Sequence, residues 1–197
     1  MGPETSGRQS LRTIGITGTP GVGKKTIAPL VAQKLGVACL SLNELAEGFK
    51  VAKTGSDDAE VDTAALRRKI EEGPRIGAVI YGHLLPYAIP RKMASSVAVL
   101  RCNPSILKNR LSARGYPKQK IVDNVEAELI GLVSAESFRA FGREKTFEVD
   151  ATSATPYGAA NEIVSVIRDR TNRPERLDWT ANYGSGEKLR SLLSFGS

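Results

Sequence analysis

The segment GTPGVGKKT, residues 18–26, combines glycines and a lysine at a spacing that suits phosphate binding. It fits the pattern GxxxxGK[ST] at every fixed position except the last, where Lys25 replaces the serine or threonine. Glycines let backbone N–H groups turn inward around phosphate oxygens, and the start of the following helix adds its dipole. We therefore predict that a nucleoside triphosphate binds here and that Lys24 reaches its β- and γ-phosphates. The predicted contacts are Gly18, Pro20, Gly21, Val22, Gly23, Lys24, Lys25 and Thr26.

Lys25 bears on the metal that usually accompanies the triphosphate. The residue after the loop lysine normally offers a hydroxyl to Mg²⁺, and an ammonium group is not a metal ligand. Thr26 is one position further, about 100° around a helix, so we expect it to meet phosphate rather than metal. ATP, with Mg²⁺, is the expected cofactor, and no residue is predicted as a metal ligand. Lys25 either replaces part of the metal's positive charge or adds electrostatic attraction for the phosphates.

The elements around the loop alternate between strand and helix. Strands are predicted over residues 12–17, 37–40, 76–81, 97–100 and 146–149. Helices are predicted over 24–35, from a capping box at Ser41 to 49, from a cap at Asp62 to about 73, over 104–113, 118–141 and 156–170, and in a short stretch near 187–194. This alternation is typical of an α/β fold with a mainly parallel five-stranded sheet and helices on both faces.

The chain has 197 residues and a net charge of +7, which fits one domain with a preference for acidic partners such as nucleotides or RNA. A solvated basic surface is the alternative explanation of the charge. No apolar stretch is long enough to cross a membrane, and Cys39 and Cys102 are expected to be packed as free thiols. We therefore expect a cytoplasmic protein, or a nuclear one if the source has a nucleus.

The predicted organisation is a disordered lead-in over residues 1–11, a domain over 12–172 and a basic tail over 173–197. Trp179 in that tail could stack on RNA, but packing of the tail against the domain is favoured. Glu128 could orient a lid arginine, but an exposed helical face is favoured for it.

Four strings together resemble the adenylate kinase isoenzyme 6 family, which includes the coilin-interacting nuclear ATPase and its yeast and archaeal relatives. They are GITGTPGVGKKT, VIYGHLLP, VLRCNPSILKNRLSARGYPKQKIVDNVEAEL and LDW, and the resemblance covers roughly residues 12–195. It implies a P-loop nucleotide-kinase-like fold and nucleoside monophosphate kinase activity with ATPase activity. It also implies a role in small ribosomal subunit maturation, with a ribosomal protein of the uS11 type or ribosomal RNA as partner.

The resemblance also assigns roles to residues outside the loop. It implies a monophosphate-binding segment near residues 43–66 and a mobile lid near 113–123, with Arg114 as the lid arginine that closes over the triphosphate. It places His83 at a catalytic position. Considered without the family, Arg114 is a solvated residue at a helix end and His83 a hydrogen-bonded structural histidine.

Three residues depart from the family pattern. Lys25 lacks the metal-binding hydroxyl, Tyr81 stands where an acid is expected, and Glu47 stands where an arginine would hold the acceptor phosphate, with Lys50 the nearest substitute. Nucleotide binding is compatible with all three, but efficient Mg²⁺-dependent phosphoryl transfer is in doubt. Two functions stay open: a nucleoside monophosphate kinase or ATPase, and a catalytically weak, nucleotide-gated interaction protein of ribosome assembly.

Overall fold

A five-stranded parallel sheet forms the centre of the fold and confirms the predicted α/β class. The computed structural model describes residues 13–51, 60–73, 77–170, 173–183 and 186–194. The strand order is β2-β5-β1-β6-β7, with every neighbouring pair parallel. The strands are β1 (Thr13–Thr17), β2 (Ala38–Ser41), β5 (Ala78–Tyr81), β6 (Ala94–Arg101) and β7 (Thr146–Asp150). A separate antiparallel pair joins β3 (Lys50–Val51) to β4 (Glu60–Val61). The predicted lead-in over 1–11 lies outside the described residues.

Helices cover both faces of this sheet. They are α1 (Lys24–Leu35), α2 (Leu42–Leu45), α3 (Thr63–Glu72), α4 (Leu85–Ala88), α5 (Pro104–Ala113), α6 (Lys118–Leu129), α7 (Leu132–Phe141), α8 (Pro156–Arg168) and α9 (Gly186–Leu193), with 3₁₀ turns at Glu47–Phe49 and Thr180–Tyr183. Within the described ranges no helix is long and apolar enough to cross a membrane.

Alternation along β1 shows how the core is divided. Ile14 and Ile16 belong to the cluster that includes apolar residues of α1 and α8. Gly15 faces the other way, where a Cβ would lie 3.0 Å from a Leu85 methyl. On this side of the sheet lies a second apolar cluster, which contains Leu85 of α4 and Phe141 of α7. A central strand buried on both faces needs apolar or small residues throughout, which is why this sheet reads as continuous apolar runs.

Side-chain caps determine several helix starts. Asp62, Asn103 and Thr155 accept hydrogen bonds from the backbone N–H groups of Ala65, Ser105 and Gly158, as their sequence positions predict. Ser41 makes no such bond, and the helix predicted to run to residue 49 ends at Leu45 and continues as a 3₁₀ turn. The capping-box pattern therefore located the start of this segment but not its length.

The single helix predicted over residues 118–141 is wrong, because Gly131 interrupts it. Gly131 has φ +67°, in the left-handed region, and separates α6 from α7. A Cβ there would lie 3.3 Å from Nη1 of Arg101, so the turn also makes room for that guanidinium. The break allows α7 to turn back over the sheet rather than continue beyond it.

Several of the described residues beyond 172 pack on the same core. Trp179 is only 9% exposed and Leu192 5%, and both belong to the larger apolar cluster. The favoured packing role of Trp179 is thereby confirmed, while the boundary at residue 172 stays a prediction. Cys102 is buried and Cys39 half-buried, and both are free thiols.

We predict that Gly131→Ala destabilises the protein more than Gly36→Ala. Gly36 also has a positive φ, of +66°, but an added Cβ there meets nothing within 4 Å. Gly36→Ala should therefore lose about 1 kcal/mol from backbone strain alone, whereas Gly131→Ala adds crowding against Arg101. Urea unfolding of both variants measures the difference. Equal losses would show that the contact with Arg101 contributes nothing.

Candidate nucleotide-binding site

The phosphate loop lies at the carboxyl edge of the sheet. It joins the central strand β1 to α1, and ligands of such sheets gather at this edge. Gly18 and Gly21 have φ of +137° and +97°. A Cβ on Gly18 would collide with the Leu100 carbonyl oxygen, and one on Gly21 would lie 2.7 Å from a Leu107 methyl. Glycine is thus required twice over, by the backbone conformation and by close packing.

Lys24 is turned inward over this loop. Its Nζ donates hydrogen bonds to the carbonyl oxygens of Gly18 at 2.6 Å and Thr19 at 2.9 Å. Burial lowers the pKa of Lys24 to about 7, with Glu128 opposing the shift and Arg114 adding to it. Because burial disfavours the charged form of Lys24, an anion bound beside its ammonium group stabilises that form.

A cleft of about 370 Å³ brings most of the predicted site residues together. Six predicted contact residues of the loop and α1 line it, together with His83 and Arg114. The lining is Pro20, Gly21, Gly23, Lys24, Lys25, Thr26, Ser41, Asn43, Glu44, Glu47, Tyr81, Gly82, His83, Arg114 and Tyr116. Gly18 and Val22 do not line it: Gly18 packs on Leu100, and the 1% exposed Val22 belongs to the apolar core.

His83 follows β5 and is half-buried in the cleft wall. Burial lowers the pKa of His83, and the nearby charge of Lys24 lowers it further. The imidazole is consequently neutral near neutral pH, where it offers one hydrogen-bond donor and one acceptor but no positive charge.

Arg114 lies at a sharp turn between α5 and α6. It is the C-cap of α5, and Gly115 beyond it has φ +71° before Tyr116 and Pro117 start the next helix. Its exposed side chain lines the cleft and also a second recess of about 160 Å³. Of the residues predicted as a lid, 113–123, those from 114 to 117 form this exposed turn and those from 118 onward begin α6, while Arg114 borders both spaces.

The second recess was not predicted from the sequence. Its far wall comes from Arg110 and from the loop after β7, including Ala151 and Ala154. Arg110 fixes that loop, because its Nη2 donates to the carbonyl oxygens of Ala151 at 3.0 Å and Thr152 at 2.7 Å. The only available signal was that this loop, too, follows a parallel strand at the ligand-binding edge.

The residues of the cleft do not fit a Mg²⁺ ion held directly by the protein in the usual way. Lys25 supplies an ammonium group where a hydroxyl ligand is expected, and Tyr81 supplies a phenol where an acid is expected. Among the residues the structure describes, no three His, Cys, Asp or Glu side chains gather to hold a metal.

The far end of the cleft is acidic in its described part. Glu44 and Glu47 line it, beside Ser41 and Asn43. Glu47 occupies the place where an arginine was expected, and it has an interaction partner of its own. The Lys50 side chain, suggested as the substitute cation, lies outside the described residues.

We predict that ATP binding takes up a proton near neutral pH. Free Lys24 has a pKa of about 7, and the triphosphate favours its ammonium form, so affinity should fall as pH rises from about 7 to 9. Calorimetry in buffers of different ionisation enthalpy measures the uptake, which should approach one proton at about pH 8. Lys24→Ala should abolish it. An uptake unchanged in that variant would assign the proton to another group.

Comparisons with known sequences identify the family. The family model described as an AAA domain matches residues 14–131. A protein named "Putative adenylate kinase" from Thermococcus onnurineus is 36% identical over 185 residues, covering 93% of this chain and 98% of that protein. A relative of the same name from Pyrococcus furiosus is 38% identical over 185 residues, with the same two coverages of 93% and 98%.

Solved structures share the fold at much lower identity. A gluconokinase from Sinorhizobium meliloti 1021 superposes with a TM-score of 0.57 at 20% identity, covering 82% of this chain and 94% of its own. A shikimate kinase from Acinetobacter baumannii in complex with shikimate gives 0.56 at 16% identity, covering 83% and 96%. These two likenesses show the fold alone. Because the archaeal relatives align over nearly the whole chain, this protein belongs to their family of P-loop nucleoside monophosphate kinases.

Proposed function

We propose that this protein is an adenylate kinase-like enzyme of the isoenzyme 6 type, which transfers the γ-phosphoryl group of ATP to a nucleoside monophosphate and, more slowly, to water. The observation that carries the proposal is the cleft in which Lys24, Lys25 and Thr26 of the loop face Arg114. Three cations around one space at a helix N-terminus are the arrangement that a triphosphate requires.

ATP binding on this proposal uses both recesses. The triphosphate lies along the loop, where Lys24 exchanges the carbonyl oxygens of Gly18 and Thr19 for phosphate oxygens. The base occupies the smaller recess between Arg110, Arg114 and the loop after β7. Arg114 borders both recesses, so it would lie close to the ribose and the phosphates of an ATP molecule that occupies them.

The chemical step needs charge stabilisation more than covalent help. An acceptor oxygen attacks the γ-phosphorus, the bond to the β-phosphate oxygen breaks, and ADP leaves. Lys24 and Lys25 neutralise charge on the loop side, and Arg114 on the lid side. Neutral His83 holds a hydrogen bond to the acceptor or to a water molecule, and closure of the 114–117 turn excludes bulk water.

A second function is favoured by the substitutions in the same cleft. Lys25, Tyr81 and Glu47 weaken the usual handling of metal and acceptor phosphate, while the loop itself is intact. Such a protein would bind ATP, turn over slowly and use the bound nucleotide to control association with a partner. The net charge of +7 suits ribosomal RNA or a ribosomal protein of the uS11 type during small-subunit maturation, in the cytoplasm or a nucleus.

A coupled assay with ATP and a panel of nucleoside monophosphates separates the two functions. We expect transfer to at least one monophosphate, and Arg114→Ala should lower kcat by roughly 100-fold or more while changing ATP affinity little, because the arginine acts on charge that develops in the transition state. Lys24→Ala is the control for loss of the loop. ATP binding without transfer to any monophosphate would favour the interaction protein.

The metal dependence should follow from Lys25 and Tyr81. We predict that the wild type depends weakly on Mg²⁺ and turns over slowly, and that Lys25→Thr with Tyr81→Glu raises turnover and Mg²⁺ dependence together. ATP binding without metal should weaken in the double variant, because one cation is lost. Steady-state rates across a Mg²⁺ titration measure this, with the two single variants as controls. A fast and strongly Mg²⁺-dependent wild type would contradict the prediction.

A further inference from the structure

Thr19, at a loop position that the phosphate-binding pattern leaves free, is anchored to a residue 109 positions away. Its side chain is only 1% exposed, and its Oγ1 donates a hydrogen bond of 2.6 Å to Oε2 of Glu128. A hydroxyl bonded to a buried carboxylate at this distance is a strong, charge-assisted contact.

Glu128 itself is held rigidly at the end of α6. Its other oxygen, Oε1, accepts from Nε of Arg101 at 2.8 Å and from the backbone N–H of Cys102 at 2.9 Å. Nη2 of Arg101 also donates to the Glu128 carbonyl oxygen at 2.9 Å. The carboxylate is thus fixed from one side, and its second oxygen is directed at the loop.

The anchored threonine is also where the loop closes on itself. The Thr19 carbonyl oxygen accepts from Lys24 Nζ at 2.9 Å and from the backbone N–H of Val22 at 3.3 Å. A shift of Thr19 would therefore move both the turn and the atom to which the loop lysine is bonded.

A carboxylate so close to an anion site would ordinarily repel the ligand. Here Glu128 is 1% exposed, does not line the cleft and pairs with the Arg101 guanidinium at 2.8 Å. Its negative charge acts on Lys24, where it opposes the lowering of the pKa by burial, and its Oε2 accepts the hydrogen bond from Thr19.

We propose that Glu128 is a positioning residue of the phosphate loop, which holds Thr19, and through it the turn that binds the polyphosphate, in its binding shape. The inference rests on the proposed ATP site and adds a residue that touches no ligand. It also gives a role to the threonine, which the glycine–lysine pattern does not require.

The test is ATP affinity in isosteric variants, measured by calorimetry together with thermal unfolding. Thr19→Val removes the hydroxyl and keeps the shape, and it should weaken ATP binding by roughly tenfold, which corresponds to about 1.4 kcal/mol. Thr19→Ser keeps the hydroxyl and should retain most of the wild-type affinity for ATP. Thr146→Val is the matched control, since Thr146 is 2% exposed, and its hydroxyl bonds to the Ser137 carbonyl oxygen away from the loop. It should leave ATP affinity unchanged.

Glu128→Gln provides the second arm. The amide oxygen can still accept from Arg101 and the Cys102 N–H, but the NH₂ group would face Thr19, so the charge-assisted bond from the Thr19 hydroxyl is replaced by a weaker neutral bond of reversed direction. It should weaken ATP binding in the same direction as Thr19→Val but by less, and the double variant should be little weaker than Thr19→Val alone. Wild-type affinity in Thr19→Val, with binding lost in Lys24→Ala, would overturn the inference and leave the proposed function standing. Unchanged affinity in Lys24→Ala would remove the proposed ATP site and the inference with it.

Discussion

The guanidinium of Arg101 lies between two buried carboxylates, and much of the structure depends on that arrangement. Arg101 is 2% exposed and pairs with Glu128 at 2.8 Å and Glu148 at 2.9 Å. Burial alone would lower the pKa of Arg101, but the two carboxylates outweigh it and raise the pKa. Removing the guanidinium from such a cluster typically costs about 3–5 kcal/mol, because the carboxylates are left unpaired in the interior.

This cluster joins parts of the chain that are far apart in sequence. Arg101 ends β6, Glu128 lies in the last turn of α6, and Glu148 belongs to β7. The second oxygen of Glu148 accepts the backbone N–H of Leu177 at 2.5 Å, and Arg101 donates to the Leu177 carbonyl oxygen at 3.3 Å, so the segment after α8 is tied to the same point. Through Thr19 the cluster reaches the phosphate loop. The loop is therefore attached to the most deeply buried charges of the domain.

Electrostatics at the loop follow from the same geometry. Lys24 is buried enough to lose protonation near neutral pH, and only Glu128 opposes that loss among the groups that shift its pKa. Arg114 and His83 lie close by without supplying a counter-charge. The loop end of the cleft is thus cationic, with Lys24, Lys25 and Arg114 around it, while Glu44 and Glu47 line the far end. An anion that binds at the loop end relieves the repulsion among these cations.

Local patterns predicted the loop, the five strands and most helix starts, because these depend on neighbours in sequence. The glycines of residues 18–23 and the caps at Asp62, Asn103 and Thr155 are of this kind. Gly131 and Glu128 were misjudged because their environment comes from Arg101, a residue 27 or more positions away. A charged residue on a helix is usually exposed unless an oppositely charged partner pairs with it, and a local sequence pattern does not predict a partner that is distant in sequence.

The recess beside Arg110 was missed for a related reason. It is formed where two loops meet, and a pattern within either loop does not predict their distance. The end of the cleft where the acceptor is proposed to bind is lined by Glu44 and Glu47, whose acidic character conflicts with a phosphate-bearing acceptor. Physical reasoning on the residues therefore predicts the triphosphate end of this site more completely than the acceptor end.

Hydrogen exchange of the loop amides with and without ATP tests the central claim, that residues 18–26 form the triphosphate site, most directly. The backbone N–H groups of Gly21, Gly23 and Lys24 should exchange more slowly when ATP is bound, since phosphate oxygens would accept their hydrogen bonds. Amides of α7, which lines neither recess of the site, report any general tightening. Protection confined to the loop and the 114–117 turn is the predicted result. ATP binding that leaves exchange at residues 18–26 unchanged would contradict the account.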